Sequence, residues 1–218
     1  PPSPFVDLPF VEESNPMELP PVAYAVLLGL GLAASTGLNT FLPLLMLAGA
    51  AHFQLFGISL NGSFAWLGSD AALIALGIAA LVEIVGDKIP AVDHMLDVIG
   101  TAARPAAGTL AAASVFQNAD PTTAAIAGLI IGAPTAFSFH AAKAGARAAS
   151  STTTLGFGNP ILSFIEDVVA VFMVLISFFV PWLVPVLLVL VFLVMWKVYK
   201  KVRRHLPIKR NAPGATAP

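Results

Sequence analysis

Apolar residues run in long blocks along this chain, and polar residues gather in the gaps between them. The longest block is Val168–Trp196, 29 consecutive residues without a charge and rich in Val, Leu and Phe. An apolar stretch above about 18 residues predicts a membrane span. Earlier blocks cover Val22 to Ala50, Ala71 to Val85, Pro105 to Phe116 and Thr122 to Ala142, and the last one reaches back to Asn159. Pro181-Trp-Leu-Val-Pro185 sits inside that last block. Paired prolines break a helix interior, and Trp favours the membrane–water interface. The spacing therefore predicts a tight turn and two spans there, rather than one kinked helix.

This pattern predicts an all-α polytopic transmembrane helix bundle of about six spans, with five as the alternative. Residues 22–205 make up the membrane domain. Residues 1–21 read as a Pro-rich, acidic extension, with Asp7, Glu12, Glu13 and Glu18. Met17 is a more typical start for a membrane protein, so residues 1–16 read as an extension or a processed or engineered end. Residues 206–218 read as a flexible tail.

Composition agrees with several spans rather than one anchor. The chain of 218 residues is 57% hydrophobic and 11% charged, against about 25% charged in soluble domains, and its mean hydropathy is +0.86. The net charge of −1 offers nothing to a nucleic acid. There is no Cys, which excludes disulfides, thiolate metal sites and Cys nucleophiles.

Charge is one-sided along the predicted spans. Lys88, Arg104, Lys143, Arg147 and the terminal cluster from Lys197 to Arg204 fall on one face of a six-span arrangement. The opposite loops (51–70, 117–121 and 181–185) carry only Asp70 and Asp120. That is the positive-inside pattern, so both termini are expected in the cytoplasm and the protein in a cell membrane. Tyr24, Trp66, Trp182, Trp196 and Tyr199 all fall near predicted span ends, as interfacial aromatics do.

Two small-residue stripes, Gly29-x3-Ala33-x3-Gly37 and Gly128-x3-Gly132, predict close helix packing in lipid. Two further segments, Gly37-Leu-Asn-Thr-Phe-Leu-Pro43 and Thr154-Leu-Gly-Phe-Gly-Asn-Pro160, combine helix-weakening residues with Asn and Pro. They are candidates for corresponding breaks in a weak internal repeat, which in transporters mark the binding site.

The most informative polar stretch is Glu83-Ile-Val-Gly-Asp87-Lys88-Ile-Pro90-Ala-Val-Asp93-His94-Met-Leu-Asp97, followed by Thr101-Ala-Ala-Arg104-Pro105. Glu83 and Asp87 are four apart, as are Asp93 and Asp97, so each pair shares a helical face. Ionisable groups at membrane depth are costly and face the protein interior or water. Asn39, Glu83, Asp87, Asp93, Asp97 and Arg104 are therefore the candidate ion- or substrate-binding residues. The competing reading is a cytoplasmic loop over Asp87–Arg104, with Pro90 and Pro105 as breaks and Asp87 paired to Arg104. Glu166, Asp167, Lys143 and Arg147 reach the same predicted face and can join the cluster. His140 reads as a packed, hydrogen-bonded histidine, and His52 and His94 as interfacial; a lone His140 is weak evidence for a haem or chlorophyll ligand.

Taken together, Gly37-Leu-Asn-Thr, Asp87-Lys-Ile-Pro-x-x-Asp93-x-x-x-Asp97 and Thr101-x-x-Arg104-Pro-x-x-Gly108 resemble the membrane-protein family catalogued as domain of unknown function 4126, over roughly residues 25–175. The resemblance implies a polytopic membrane protein and carries no established activity. No Gly-x-Ser-x-Gly elbow, His-Glu-x-x-His zinc site or Walker motif is present, so no enzyme, cofactor or metal is expected. Two functions remain. One is a small transporter, channel or lipid translocator with an acidic site. The other is a non-catalytic accessory subunit, with the bilayer and either a homo-oligomer or a larger membrane complex as partners.

Overall fold

The computed structural model describes residues 20–154 and 157–205. Residues 1–19 of the acidic extension and the tail from 206 to 218 lie outside the described residues. Within them the chain is helical, with no strand. Seven α-helices follow one another: α1 (Pro21–Leu38), α2 (Leu42–His52), α3 (Asp70–Gly86), α4 (Pro90–Ser114), α5 (Pro121–Thr154), α6 (Asn159–Phe179) and α7 (Val184–His205). Short 3-10 turns at Leu55–Gly57, Gly62–Gly68 and Pro181–Leu183 link them. Local chemistry sets the boundaries. Pro21 and Pro90 stand in first turns, where their missing N–H is harmless. Ser69 Oγ caps α3 through Ala72 N, and Asp120 caps α5 through Thr122 N and Thr123 N, each at 3.1 Å.

Long-range contacts fix the direction of every helix. Gly31 of α1 lies against Ser177, and Asn39, just beyond α1, bonds Asp167, so α6 runs antiparallel to α1. Thr40 meets Glu83, while His52 meets Gly68 and Asp70, so α2 and α3 are antiparallel. Phe56, just after α2, packs on Phe178 and Phe179 at the end of α6. Hence α2 is parallel to α6 and opposite to α1. The block Val22–Ala50 is accordingly a helical hairpin with its turn at residues 39–41, not a single interrupted span.

The predicted turn at Pro181–Pro185 is also a reversal. Leu187, Leu188 and Val191 pack with Ala34, Leu38, Ala170 and Met173, while Val184 lies at Gly31. Thus α7 runs beside α1 in the same direction. Because α1 and α7 are parallel, Pro21 and Lys200 lie towards opposite ends of the bundle. The expectation that both termini share one face does not follow from this geometry. The extra reversal at residues 39–41 is the reason.

Among the described residues three helices, α1, α5 (over Pro121–Ala148) and α6, are long and apolar enough to cross a bilayer. A fourth crossing arises if the 3-10 turn Gly62–Gly68 and α3, bent by 62°, count as one. The chain is an integral membrane protein by this measure, although the count of six spans is not reached on length and apolarity alone. The internal repeat is likewise not confirmed among the described residues. Residues 39–41 form a hairpin turn, and part of the second segment, 155–156, lies outside the described residues.

The small-residue stripes sit at helix contacts. Gly29 abuts Ala112, and a methyl on Gly128 would lie 2.5 Å from Ala113 Cβ and 2.6 Å from Thr109 O. Gly132 rests on the backbone of Gly108. Backbone-to-backbone approach of this kind replaces the hydrophobic force that lipid does not supply. The same α4–α5 contact, continued towards the other end, carries charge instead of glycine.

Candidate functional site

Charged residues fill one end of the bundle, and the hairpin turn at residues 39–41 lies among them. The turn leaves backbone groups without helical partners, which lipid cannot satisfy. Side chains from other helices take them up. The Glu83 carboxylate accepts from Thr40 N at 2.9 and 3.0 Å, from Thr40 Oγ1 at 2.9 Å and from Phe41 N at 3.1 Å. Lys143 Nζ donates to Leu38 O at 2.8 Å. Asn39 accepts from Leu42 N at 3.0 Å and donates to Asp167 at 2.9 Å. Negative charge thus meets the start of α2 and positive charge the end of α1, as helix dipoles favour.

A second layer lies beneath the turn. Asp87 Oδ2 and Glu166 Oε2 share two cations: Lys143 Nζ is 3.2 Å from each, and Arg147 Nη2 is 3.2 Å from Asp87 and 2.9 Å from Glu166. Arg147 also pairs closely with Asp93 and lies 3.5 Å from Asp97. The expected Asp87–Arg104 pair is not formed. Lys143 and Arg147, arriving from α5, take Asp87 instead. Arg104 bridges Glu83 and Asp97, each at 3.5 Å, and is in close contact with His140 Nδ1. An arginine offers only donors, so Nδ1 carries the lone pair and Nε2–H points to Thr101 Oγ1 at 3.2 Å. His140 is the buried, hydrogen-bonded histidine that was expected.

At the rim, Lys88 Nζ reaches Asp167 at 3.0 Å and Ser163 at 2.9 Å. Lys88 and Asp97 are the most exposed members of the network, with side chains 33% and 20% accessible.

Residues 90–104 are therefore helix rather than loop, and only 87–89 form a turn, ended by Pro90 as expected. The third apolar block, expected from Pro105, begins 15 residues earlier with α4, and Pro105 interrupts nothing. The shift has a plain cause: Asp93, Asp97 and Arg104 point inward, while Met95, Val98 and Ile99 on the same helix are exposed. On α6 likewise, Glu166 and Asp167 are buried while Ile161, Phe164 and Ile165 are exposed. Charge inside and apolar surface outside, at one level, is the inverse of a soluble domain and matches a network set at membrane depth.

All six candidate residues, Asn39, Glu83, Asp87, Asp93, Asp97 and Arg104, come together in this one network. Sequence reasoning left Lys143, Arg147, Glu166 and Asp167 at its margin, and three of those four hold Asp87 or the hairpin turn. It missed Thr40 and Ser163, whose only signal was proximity to Asn39 and to Glu166. Among the described residues no group of three or more His, Cys, Asp or Glu is arranged to hold a metal ion.

The match to known families agrees with this picture. A family model, Domain of unknown function (DUF4126), matches residues 26–201, from within α1 to within α7. The chain belongs to this family. Membership agrees with the resemblance carried by the Asp87–Asp97 and Thr101–Gly108 motifs. No curated protein and no solved structure matches the chain.

Proposed function

We propose that this DUF4126 protein is a small membrane transporter that binds a proton or small cation at the buried network, the site whose charge balance couples transport. One observation carries the reading. Six carboxylates (Glu83, Asp87, Asp93, Asp97, Glu166 and Asp167) face four fixed cations (Lys88, Arg104, Lys143 and Arg147). The excess is two negative charges. An uncompensated charge costs several kcal/mol in a low-dielectric interior, so balance requires positive charge from outside the chain. Solvent reaches the network through the rim at Lys88 and Asp97, the natural entry for that charge.

By the positive-inside rule the charged end is cytoplasmic. The C-terminus then lies in the cytoplasm and Pro21 on the opposite face.

Proteoliposomes with an imposed pH gradient and an internal pH dye test the reading. The wild type should dissipate the gradient, and Asp87→Asn, which keeps shape and removes one charge, should slow it. A wild-type rate equal to that of empty liposomes rejects transport of protons. A second reading, an accessory subunit of a larger membrane complex, draws on a different observation. Two surface depressions, of about 390 and 500 Å³, lie at the other end, around Tyr24–Phe116 and His52–Ser59. A stoichiometric partner retained in mild detergent, with no flux, favours that reading.

A further inference from the structure

Lys143 Nζ is fully enclosed and sits among three oxygens: the Leu38 carbonyl at 2.8 Å, Asp87 Oδ2 at 3.2 Å and Glu166 Oε2 at 3.2 Å. Leu38 O belongs to the C-terminal turn of α1, the negative end of that helix dipole. Two carboxylates and a helix-terminal carbonyl form the all-oxygen donor set that a hard cation requires. Asp87 Oδ1 is completely buried and has no hydrogen-bond partner, so the acid has more acceptor capacity than its two cationic neighbours use. The ammonium of lysine is a compact point charge on a flexible stem, which suits it to fill a place shaped for a free monovalent ion.

We propose that Lys143 Nζ occupies a monovalent-cation site built from Leu38 O, Asp87 and Glu166, and so determines ion specificity: with this tethered cation in place, alkali ions are shut out. The proposal rests on the transporter reading, and it narrows that reading to the proton as the small cation left to balance the network. A divalent ion does not fit the same place, because Arg147 Nη2 already stands 3.2 Å from Asp87 and 2.9 Å from Glu166. The site differs from an ordinary salt bridge in one consequence: emptying a salt bridge leaves damage, whereas emptying an ion site leaves a site.

The test is Lys143→Met, which keeps the stem and removes the charge. Thermal unfolding of the detergent-purified full chain is compared in choline, lithium, sodium, potassium and rubidium chloride at equal ionic strength. The wild type should melt alike in all five. The variant should melt higher in one or two alkali salts than in choline, by about 4 °C when the ion is at about ten times its dissociation constant. A folded variant indifferent to the cation overturns the proposal. If Lys143→Met fails to fold in choline, the yield of folded protein after extraction in each salt is read instead. Recovery in an alkali salt supports the site, and loss in every salt overturns it. Proton flux measured alongside separates the two ideas. Cation selectivity in the variant without wild-type flux removes the transporter reading and keeps the site; flux without selectivity does the reverse.

Discussion

Glu83 holds the hairpin turn, and replacing it offers a quantitative check on how the bundle is tied together. Its two oxygens receive Thr40 N, Thr40 Oγ1 and Phe41 N at 2.9–3.1 Å and face Arg104 Nη2 at 3.5 Å. Glu83→Ala removes every acceptor at once and leaves Arg104, which is 0% exposed, with less countercharge. A buried charge stripped of its partner costs about 3–5 kcal/mol, and each unsatisfied buried donor about 1–3 kcal/mol. These losses overlap, so about 5 kcal/mol is the reasonable total. At about 2–4 °C per kcal/mol for a chain of this size, the midpoint should fall by about 10–20 °C. Glu83→Gln keeps one acceptor oxygen and turns an amide towards the donors, so about 2 kcal/mol is expected. Asp70→Ala serves as the control: its side chain is 87% exposed, its partner His52 lies 3.6 Å away, and exposed pairs contribute little. Tryptophan fluorescence of the detergent-purified protein during heating reads all three. The expected order is Asp70→Ala near wild type, then Glu83→Gln, then Glu83→Ala. If Glu83→Ala melts within about 2 °C of wild type, where a tie of this kind predicts far more, the turn is held by something else.

Three further outcomes follow from the geometry. Gly132→Leu should disrupt the α4–α5 contact, because its Cβ would meet the Gly108 and Thr109 backbone, whereas Gly49→Ala, with nothing within 4 Å, should melt at or slightly above wild type; size-exclusion profiles and melting curves compare the two. Hydrogen bonding to Thr123, chiefly its side chain, and then to Thr122 holds the Asp120 carboxyl below its usual range. With the folded value depressed, its cap is fully present above the unfolded value of about 3.9 and is lost as pH falls through the folded value. Replacing Asp120 with Ala should therefore flatten that acid limb of the melting curve, and an unchanged limb assigns it elsewhere. On this Cys-free chain, Val22→Cys and Lys200→Cys should label from opposite sides of sealed vesicles, and labelling of both from one side rejects the parallel course of α1 and α7.

How much of this was legible in the sequence differs element by element. The Pro181–Pro185 turn was readable because two prolines and a Trp mark it locally. The reversal at residues 39–41 was not. Leu38 and Leu42 flank it with the same apolar character as the helices, and what bends the chain there is Glu83, more than 40 residues away. The start of α4 was lost for a related reason. Charge density over Asp87–Arg104 resembles a loop when read along the chain. It becomes a buried seam only once α5 supplies Lys143 and Arg147 at the matching register. The candidate residues were legible as a set because six of them lie where an apolar chain has little other reason to be polar. Their pairing was not, since spacing along one helix says nothing about which cation arrives from the next.

The division of the α4–α5 contact into a glycine half and a charged half bears on how the chain enters the membrane during synthesis. α4 carries Asp93, Asp97 and Arg104, and each such residue near a helix centre disfavours insertion by about 2.5–3.5 kcal/mol. It does not meet the apolarity criterion for a crossing helix, whereas α5 does. Released alone into lipid, α4 would be driven back towards water. Arg104 offsets Asp97 from within α4, but Asp93 finds its counter-ion only when Arg147 has been made, 33 residues after Ser114. Pairing with α5 therefore offsets much of the cost of placing α4 in lipid, and the flush glycine faces bring the two helices close enough for it.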